Sequence, residues 1–494
     1  MVIGGLDIGT TGCKVTLFNE QGKELTNAYG KYDSSRDASG HIIDASEILN
    51  KVFEILNKVS KEYDKIDGIG VTSFGETFVV TDENGVPLYP SMLYTDPRGK
   101  EQCESLCEKL GTKKLLHISG LKPHEMYGIP KMMWLKENKK EVFDKAKYIF
   151  QMEDFIVFHL TGKRFIDYSL ATRTMGFDIK KLQWSREIFE AADIDVSRLS
   201  SPVPSGTVAG NVTKEASEKT GLSEETKIVC VSQDQIAAAV GSGVFSSDVA
   251  VDGAGTVECV TPVYDTIPDL DIMAEGNFAV VPYVIPGKYV CYAFSYTGGA
   301  LIEWFVNTIA KKEKEIAKEK GISVNEMLEK ESKSPTDLMV LPHFAGAATP
   351  YMDTGSKGVI VGLTLGTKVA DIYRACMESV CFEMKINMDC LKKSGVKFNQ
   401  LNATGGGAKS EEWMQMKADI LDMNITSFET VDAGTVGSAM LTGVAVGAFK
   451  DLDNAKDVMI HKVKQYTPNK EKHNEYMAIY EKYKKMYSQV RCLV

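Results

Sequence analysis

Gly5-Leu6-Asp7-Ile8-Gly9-Thr10-Thr11-Gly12-Cys13-Lys14-Val15, near the start of the chain, has a counterpart near its middle, Val251-Asp252-Gly253-Ala254-Gly255-Thr256-Val257-Glu258-Cys259-Val260. Each stretch sets an acidic residue, glycines and a threonine at a turn between two apolar extended runs. The two are separated by about half of the 494 residues, which is the pattern of an internal duplication with a boundary near residues 244–248.

Outward from the first turn, Val2–Asp7 and Cys13–Asn19 read as the strands of a hairpin. Apolar residues at helical spacing (Ile48, Val52, Ile55, Leu56, Val59) then predict a helix over Ser46–Tyr63. Ile66–Ser73 and Ile228–Val231 read as buried strands, and Ile236–Val240 as a helix of small residues ending at Gly241. Residues 100–160 are mainly helical by pattern, including Pro130–Asn138 and Phe155–Leu160. The second half closes on helices over Asp371–Leu391, Glu411–Leu421, Val436–Ala448 and Asn474–Val490.

Composition narrows the function classes. Hydrophobic residues are 44% and charged residues 25%, ample for two cores. The net charge, 57 − 67 = −10, argues against a general affinity for nucleic acid or an anionic membrane. Met1–Thr10 lacks a basic and an apolar region, so no signal peptide is expected. No apolar run approaches the roughly 20 residues of a membrane helix. The ten cysteines lack C-x-x-C spacing and read as free thiols of a reducing, cytoplasmic compartment.

Three places can carry chemistry. At the opening turn, Gly9 and Gly12 let the backbone approach a ligand closely. Backbone N–H groups, the Thr10 and Thr11 hydroxyls and Lys14 then form an anion-binding concavity. Asp7 would face a magnesium ion through water, because Mg²⁺ keeps part of its hydration shell. Asp234 follows an apolar strand and opens a helix, where it reads either as a helix cap or as a carboxylate that takes a proton from a hydroxyl. Gly405-Gly406-Gly407 lies at a strand–helix junction, where glycines let a flat ligand or phosphate rest on the backbone. No G-x-x-x-x-G-K-[ST] match exists.

Together these residues resemble the FGGY carbohydrate kinase family, which includes xylulokinases and glycerol kinases. Gly5–Val15 is similar to its first phosphate motif. Pro130–Asn138 resembles one family signature, and Gly358–Leu363 followed by Asp371–Ala375 the other. Asp167-Tyr168 with Ala171–Met175, and Gly405–Ala408 at the adenosine motif, complete a co-linear set over most of the chain.

The resemblance implies a two-domain, internally duplicated α/β fold of the actin-like ATPase type. Each half would be RNase H-like, over residues 1–245 and 246–494, with the ligand cleft between them. It implies ATP and Mg²⁺ as cofactors and a small sugar or polyol as substrate, and it leaves a homodimer open. Asp234 would be the general base and Asp7 the metal-facing carboxylate. Thr10, Thr11, Gly12, Lys14, Gly255, Thr256, Gly298, Gly299, Gly406 and Gly407 would meet the nucleotide. Asp96, Glu76, Thr77, Arg98 and Gln235 would meet the substrate, with Asp96 contacting sugar hydroxyls.

A ketose is the first expectation and a glycerol- or tetritol-type polyol the second. Phe74-Gly75-Glu76-Thr77 stands where xylulokinases carry Gln-Met-His-Gly. Glu76-Thr77 resembles the Arg-Glu-Thr of glycerol kinases, with Gly75 in place of the arginine. An actin-fold ATPase without a sugar substrate, or a silent sugar sensor, is the rival from another class.

Overall fold

The computed structural model describes residues 1–37, 40–63, 65–332, 335–429 and 432–493. The strands that carry its two main sheets are β1 (Val2–Ile8), β2 (Gly12–Asn19), β3 (Glu24–Lys31), β4 (Gly68–Ser73), β5 (Thr207–Asn211) and β6 (Lys227–Gln233), then β7 (Val249–Ala254), β8 (Glu258–Tyr264), β9 (Val281–Pro282), β10 (Tyr289–Val290), β11 (Ala293–Ser295), β12 (Gln400–Thr404), β13 (Asn424–Phe428) and β14 (Lys462–Tyr466).

The first sheet has the order β5-β6-β4-β1-β2-β3 and the second β9-β10-β8-β7-β12-β13-β14, with β11 also on β8. From β3 to β5 the pairings run antiparallel, antiparallel, parallel, parallel, antiparallel. From β11 to β14 the same sequence of pairings repeats. The duplication read from the two turns is thus present in the topology. Parallel neighbours need crossovers, and these place helices against the sheets.

The helices used below are α1 (Ala45–Ser60), α2 (Tyr168–Thr172), α3 (Asp234–Gly241), α4 (Gly299–Thr308), α5 (Val369–Lys393), α6 (Glu411–Leu421), α7 (Ala433–Val446) and α8 (Lys470–Tyr483). In α1 the Asp44 side chain accepts from the Ser46 N–H at the N-terminus, and Ile48, Val52, Ile55, Leu56 and Val59 are all buried. The helix expected over Asn474–Val490 is two pieces, α8 and Met486–Val490. It starts earlier than its apolar pattern because Asn469 caps it, accepting from Glu471 and Lys472.

One helix ties the halves together. α7 belongs to the C-terminal half but lies across β1 and α3 of the N-terminal half. Small residues make the approach so close that a Cβ on Gly437 would stand 1.8 Å from the Ala237 carbonyl oxygen, and one on Gly241 2.0 Å from that of Ala433. Ser438 Oγ also donates to the Gly70 carbonyl at 2.9 Å. Among the described residues no helix is long and apolar enough to cross a membrane, and all ten cysteines are free.

Candidate active site

The first turn joins β1 to β2. Its Gly9 N–H donates to the Gly12 carbonyl at 2.9 Å, and the Tyr32 hydroxyl donates to the Gly9 carbonyl at 2.6 Å. Thr10 and Thr11 are therefore held at a braced tip. Behind them Asp7 and Lys14 are register partners across the hairpin. Lys14 pairs with Asp432, the N-terminal cap of α7, at 2.7 Å. The C-terminal half therefore reaches into the first turn.

Asp7 Oδ1 is buried with no hydrogen-bond partner among the described residues. Burial, then the charges of Asp234 and Asp432, pushes its carboxyl well above the usual range, against the pull of Lys14. Asp7 thus has two like-charged neighbours, Asp234 and Asp432, and one opposing charge, Lys14. No group of three His, Cys, Asp or Glu side chains among the described residues could hold a metal alone. A magnesium ion bound partly through phosphate oxygens and water needs only one or two carboxylates. The unpartnered oxygen of Asp7 fits that requirement.

Asp234 is the first residue of α3, and the capping position belongs to Gln233. The side chain turns back to accept from the Gln235 N–H at 2.7 Å. Burial, aided by the charge of Glu76 and opposed by that hydrogen bond and by Arg173, raises its pKa to about 7. A carboxyl at that value is poised between holding and releasing a proton at neutral pH, which suits a general base. Gln235 itself is exposed on the first turn.

Glu76 is buried and takes a left-handed backbone, φ 67°, which costs a non-glycine residue about 1–2 kcal/mol. It is locked by an ion pair with Arg173, at the C-terminal end of α2. The Thr77 hydroxyl beside it is buried without a partner among the described residues.

Asp96 differs from expectation. Its carboxylate is fully covered. It accepts from Arg98 Nη2 at 2.6 Å, Arg98 Nε at 2.8 Å, the His41 N–H at 2.7 Å and the Arg98 N–H at 3.0 Å. Burial alone would raise the carboxyl, but these donors hold it below the usual range. With its acceptor sites filled, Asp96 has none to offer a sugar hydroxyl in this conformation. It fixes Arg98, whose guanidinium lies 4.9 Å from the Trp134 ring. Lys131 completes the layer, donating to the carbonyls of Asp96 at 3.1 Å and Glu125 at 2.6 Å.

The second turn joins β7 to β8. Gly255 and Thr256 sit at its tip, and the start of α4 closes on them. The Gly298 N–H donates to Thr256 at 3.1 Å and the Gly299 N–H to Gly255 at 2.8 Å. On the other side Gly405, φ +88°, is so close that a Cβ would be 2.5 Å from the Ala254 carbonyl oxygen. Nothing within 4 Å would meet a Cβ on Gly406, whereas one on Gly407 would press on Ala254. Gly255, Gly298, Gly299, Gly406 and Gly407 therefore converge on one turn, with open space at Gly406, while Gly12 lies in the first turn.

Sequence reasoning missed a group around Asp234. Arg173 packs between Tyr127 and Tyr292, with ring centroids 5.2 and 5.7 Å from the guanidinium carbon. The Tyr94 hydroxyl is raised by burial and by the charges of Glu76 and Asp234. Arg173 was visible only as part of a family stretch, and Tyr292 carried no local signal.

The chain matches models of the N-terminal domain of the FGGY family of carbohydrate kinases over residues 2–241 and of its C-terminal domain over 255–446. It is 29% identical to a xylulose kinase of Lactococcus lactis, covering 98% of this chain and 96% of that one. It is 28% identical to a glycerol kinase of Oceanobacillus iheyensis, covering 90% of each. The fold is that of the ligand-bound xylulose kinase of Lactobacillus acidophilus, with a TM-score of 0.89 at 23% identity over 99% of this chain and 98% of that one. The two domain matches, spanning most of the chain in order, place it in the FGGY family of carbohydrate kinases.

Proposed function

We propose that this kinase transfers the γ-phosphoryl group of ATP to a hydroxyl of a small neutral sugar, a ketose first, with Asp234 as the general base. The observation that carries this is the Asp234 carboxyl, raised to about 7 and set within electrostatic reach of Asp7. Residues 1–245 would form the sugar-binding domain with the first phosphate turn, and residues 246–494 the nucleotide domain. The break between the two sheets, after β6 and before β7, supports that division.

In this reading the attacking hydroxyl gives its proton to Asp234 as the oxygen bonds to phosphorus, and the ADP oxygen leaves in line. Donors at the Thr10–Thr11 and Gly255–Thr256 turns meet the charge on the transferring group. Asp7 would hold Mg²⁺, which supplies charge neutralisation at the phosphates. The Glu76–Arg173 pair orients the substrate, and the Asp96–Arg98 pair supports it from behind. Free thiols throughout fit a cytoplasmic location.

A glycerol- or tetritol-type polyol is the second reading, favoured by Glu76-Thr77 and by the glycerol kinase relative. The test is ADP production from Mg-ATP across ketoses, aldoses, aldonic acids and polyols. One of these is expected to give a rate that Asp234→Ala lowers at least 100-fold. Because Asp234 must be ionised to accept the proton, kcat/KM should fall on the acid side with a midpoint near pH 7. Turnover that Asp234→Ala leaves within about tenfold of wild type rules out the base.

A further inference from the structure

We propose that Arg173, Gln233 and Tyr292 form a hydroxyl-recognition subsite beside Asp234, and that residue 75 is glycine because this subsite occupies the space of its side chain. This rests on the kinase reading above and names the residues that choose the substrate.

Three buried polar atoms carry the inference. Arg173 uses Nε and Nη2 on Glu76, while Nη1 has no hydrogen-bond partner among the described residues. The Gln233 side-chain oxygen and the Tyr292 hydroxyl are likewise buried and without partners among those residues. Each such atom is costly to bury without a partner, and folded proteins keep few of them. Here three stand near the proposed base. Gln233 directly precedes Asp234 in the chain, and Tyr292 is packed against Arg173.

Gly75 packs against two of these side chains. A Cβ there would lie 3.0 Å from Arg173 Cγ, 3.3 Å from Arg173 Cβ and 3.6 Å from Gln233 Nε2. A side chain at position 75 would make the Arg173 stem give by a few tenths of an ångström, and branching at its Cβ would crowd it further.

The chemistry of the three atoms fits a hydroxyl. Nη1 only donates, an amide oxygen only accepts, and a phenol does either. One substrate hydroxyl next to the phosphorylated one would accept from Arg173 and donate to Gln233. A carboxylate would fit less well, because Glu76 already neutralises Arg173 and Asp234 lies close by. The subsite is therefore built for a neutral vicinal diol, as in a ketose or polyol, and against an aldonic acid. Tyr292 comes from the C-terminal half, so the subsite is complete only when the halves are together.

The test uses full-length Tyr292→Phe, Gln233→Met and Gly75→Val. Sugar KM, ATP KM and the ligand-free melting temperature are measured with the panel sugar that wild type uses best. Each variant is expected to raise sugar KM about tenfold or more, the scale of one lost hydrogen bond, with ATP KM within twofold. Tyr292→Phe and Gln233→Met should melt no lower than wild type, since each removes an unsatisfied polar group. Sugar KM within twofold of wild type in those two variants overturns the subsite. So does a lower melting temperature with sugar and ATP KM rising together, which assigns the residues to packing. A wild type with no sugar-stimulated turnover sinks the kinase reading as well, so the two failures are told apart.

Discussion

The two glycine turns share a backbone plan and treat their acidic residues in opposite ways. In the first, Asp7 keeps a bare oxygen, and its charge neighbours are two more carboxylates and one half-exposed lysine. In the second, Asp252 and Glu258 are fully buried and clamped by Lys417 from α6, with Nζ 2.7 Å from Asp252 Oδ2. Burial, then the charge of Asp252, raises the Glu258 carboxyl well above the usual range, against the pull of Lys417. The first turn spends its acid on the cleft. The second neutralises its acids internally and presents backbone, glycine and Thr256. Duplicated halves can thus diverge in chemistry while keeping one topology.

The largest expected effect comes from breaking the clamp. Lys417→Met leaves a buried carboxylate without its counter-ion, which typically costs about 3–5 kcal/mol. Denaturant unfolding should show that loss, and Lys417→Met combined with Asp252→Asn and Glu258→Gln should recover most of it. If the single variant is as stable as wild type, the triad is not what braces the second turn.

Asp7→Asn probes the opposite design and should behave in the opposite way. Turnover is expected to fall about 10–100-fold, the usual scale for a group that orients a metal through its outer shell, with a higher Mg²⁺ requirement. Stability should move the other way. Asp7 has a folded-state pKa raised above its unfolded value, so its favourable contribution is present at low pH and is lost as pH rises through the folded pKa. Ligand-free Asp7→Asn should therefore melt higher than wild type at pH 8, with the gap closing toward pH 4. A gap that widens toward pH 4 contradicts the repulsion assigned to Asp7.

How much of this was readable without coordinates follows from where each feature is encoded. The turns, the strand before Asp234 and the glycines at 405–407 are local, and periodicity and turn chemistry exposed them. Asp234 itself needed the resemblance, because an acid opening a helix also reads as a cap. Arg173, Gln233 and Tyr292 come from α2, the end of β6 and the approach to β11, and only folding brings them together. Lys417 was hidden for another reason. Lysine on a helix ordinarily means solvent, and nothing in Glu411–Leu421 signals that its partners lie on β7 and β8. Asp96 shows the converse. The resemblance supplied a role, while its donors at His41 and Arg98 could be counted only in three dimensions.

The smallest effect separates the turns by what supports them. Gly405→Ala would drive a methyl to 2.5 Å from the Ala254 carbonyl oxygen and also strain a residue at φ +88°. Backbone cannot rotate aside as a side chain can, so the second turn must shift. A penalty of about 1–2 kcal/mol passed to the nucleotide site corresponds to an ATP KM about 5–30-fold higher. Gly12→Ala in the first turn meets the Tyr29 hydroxyl at 2.3 Å, at the end of an exposed side chain, and the Gly30 backbone carbonyl oxygen at a longer 2.8 Å. Tyr29 can swing into solvent, so the melting temperature should fall less than for Gly405→Ala, and adding Tyr29→Ala should recover part of that loss, the contact with the Gly30 carbonyl remaining. Equal stability losses at both glycines would mean that the first turn is as rigidly backed as the second, and the contrast between them would have to rest on charge alone.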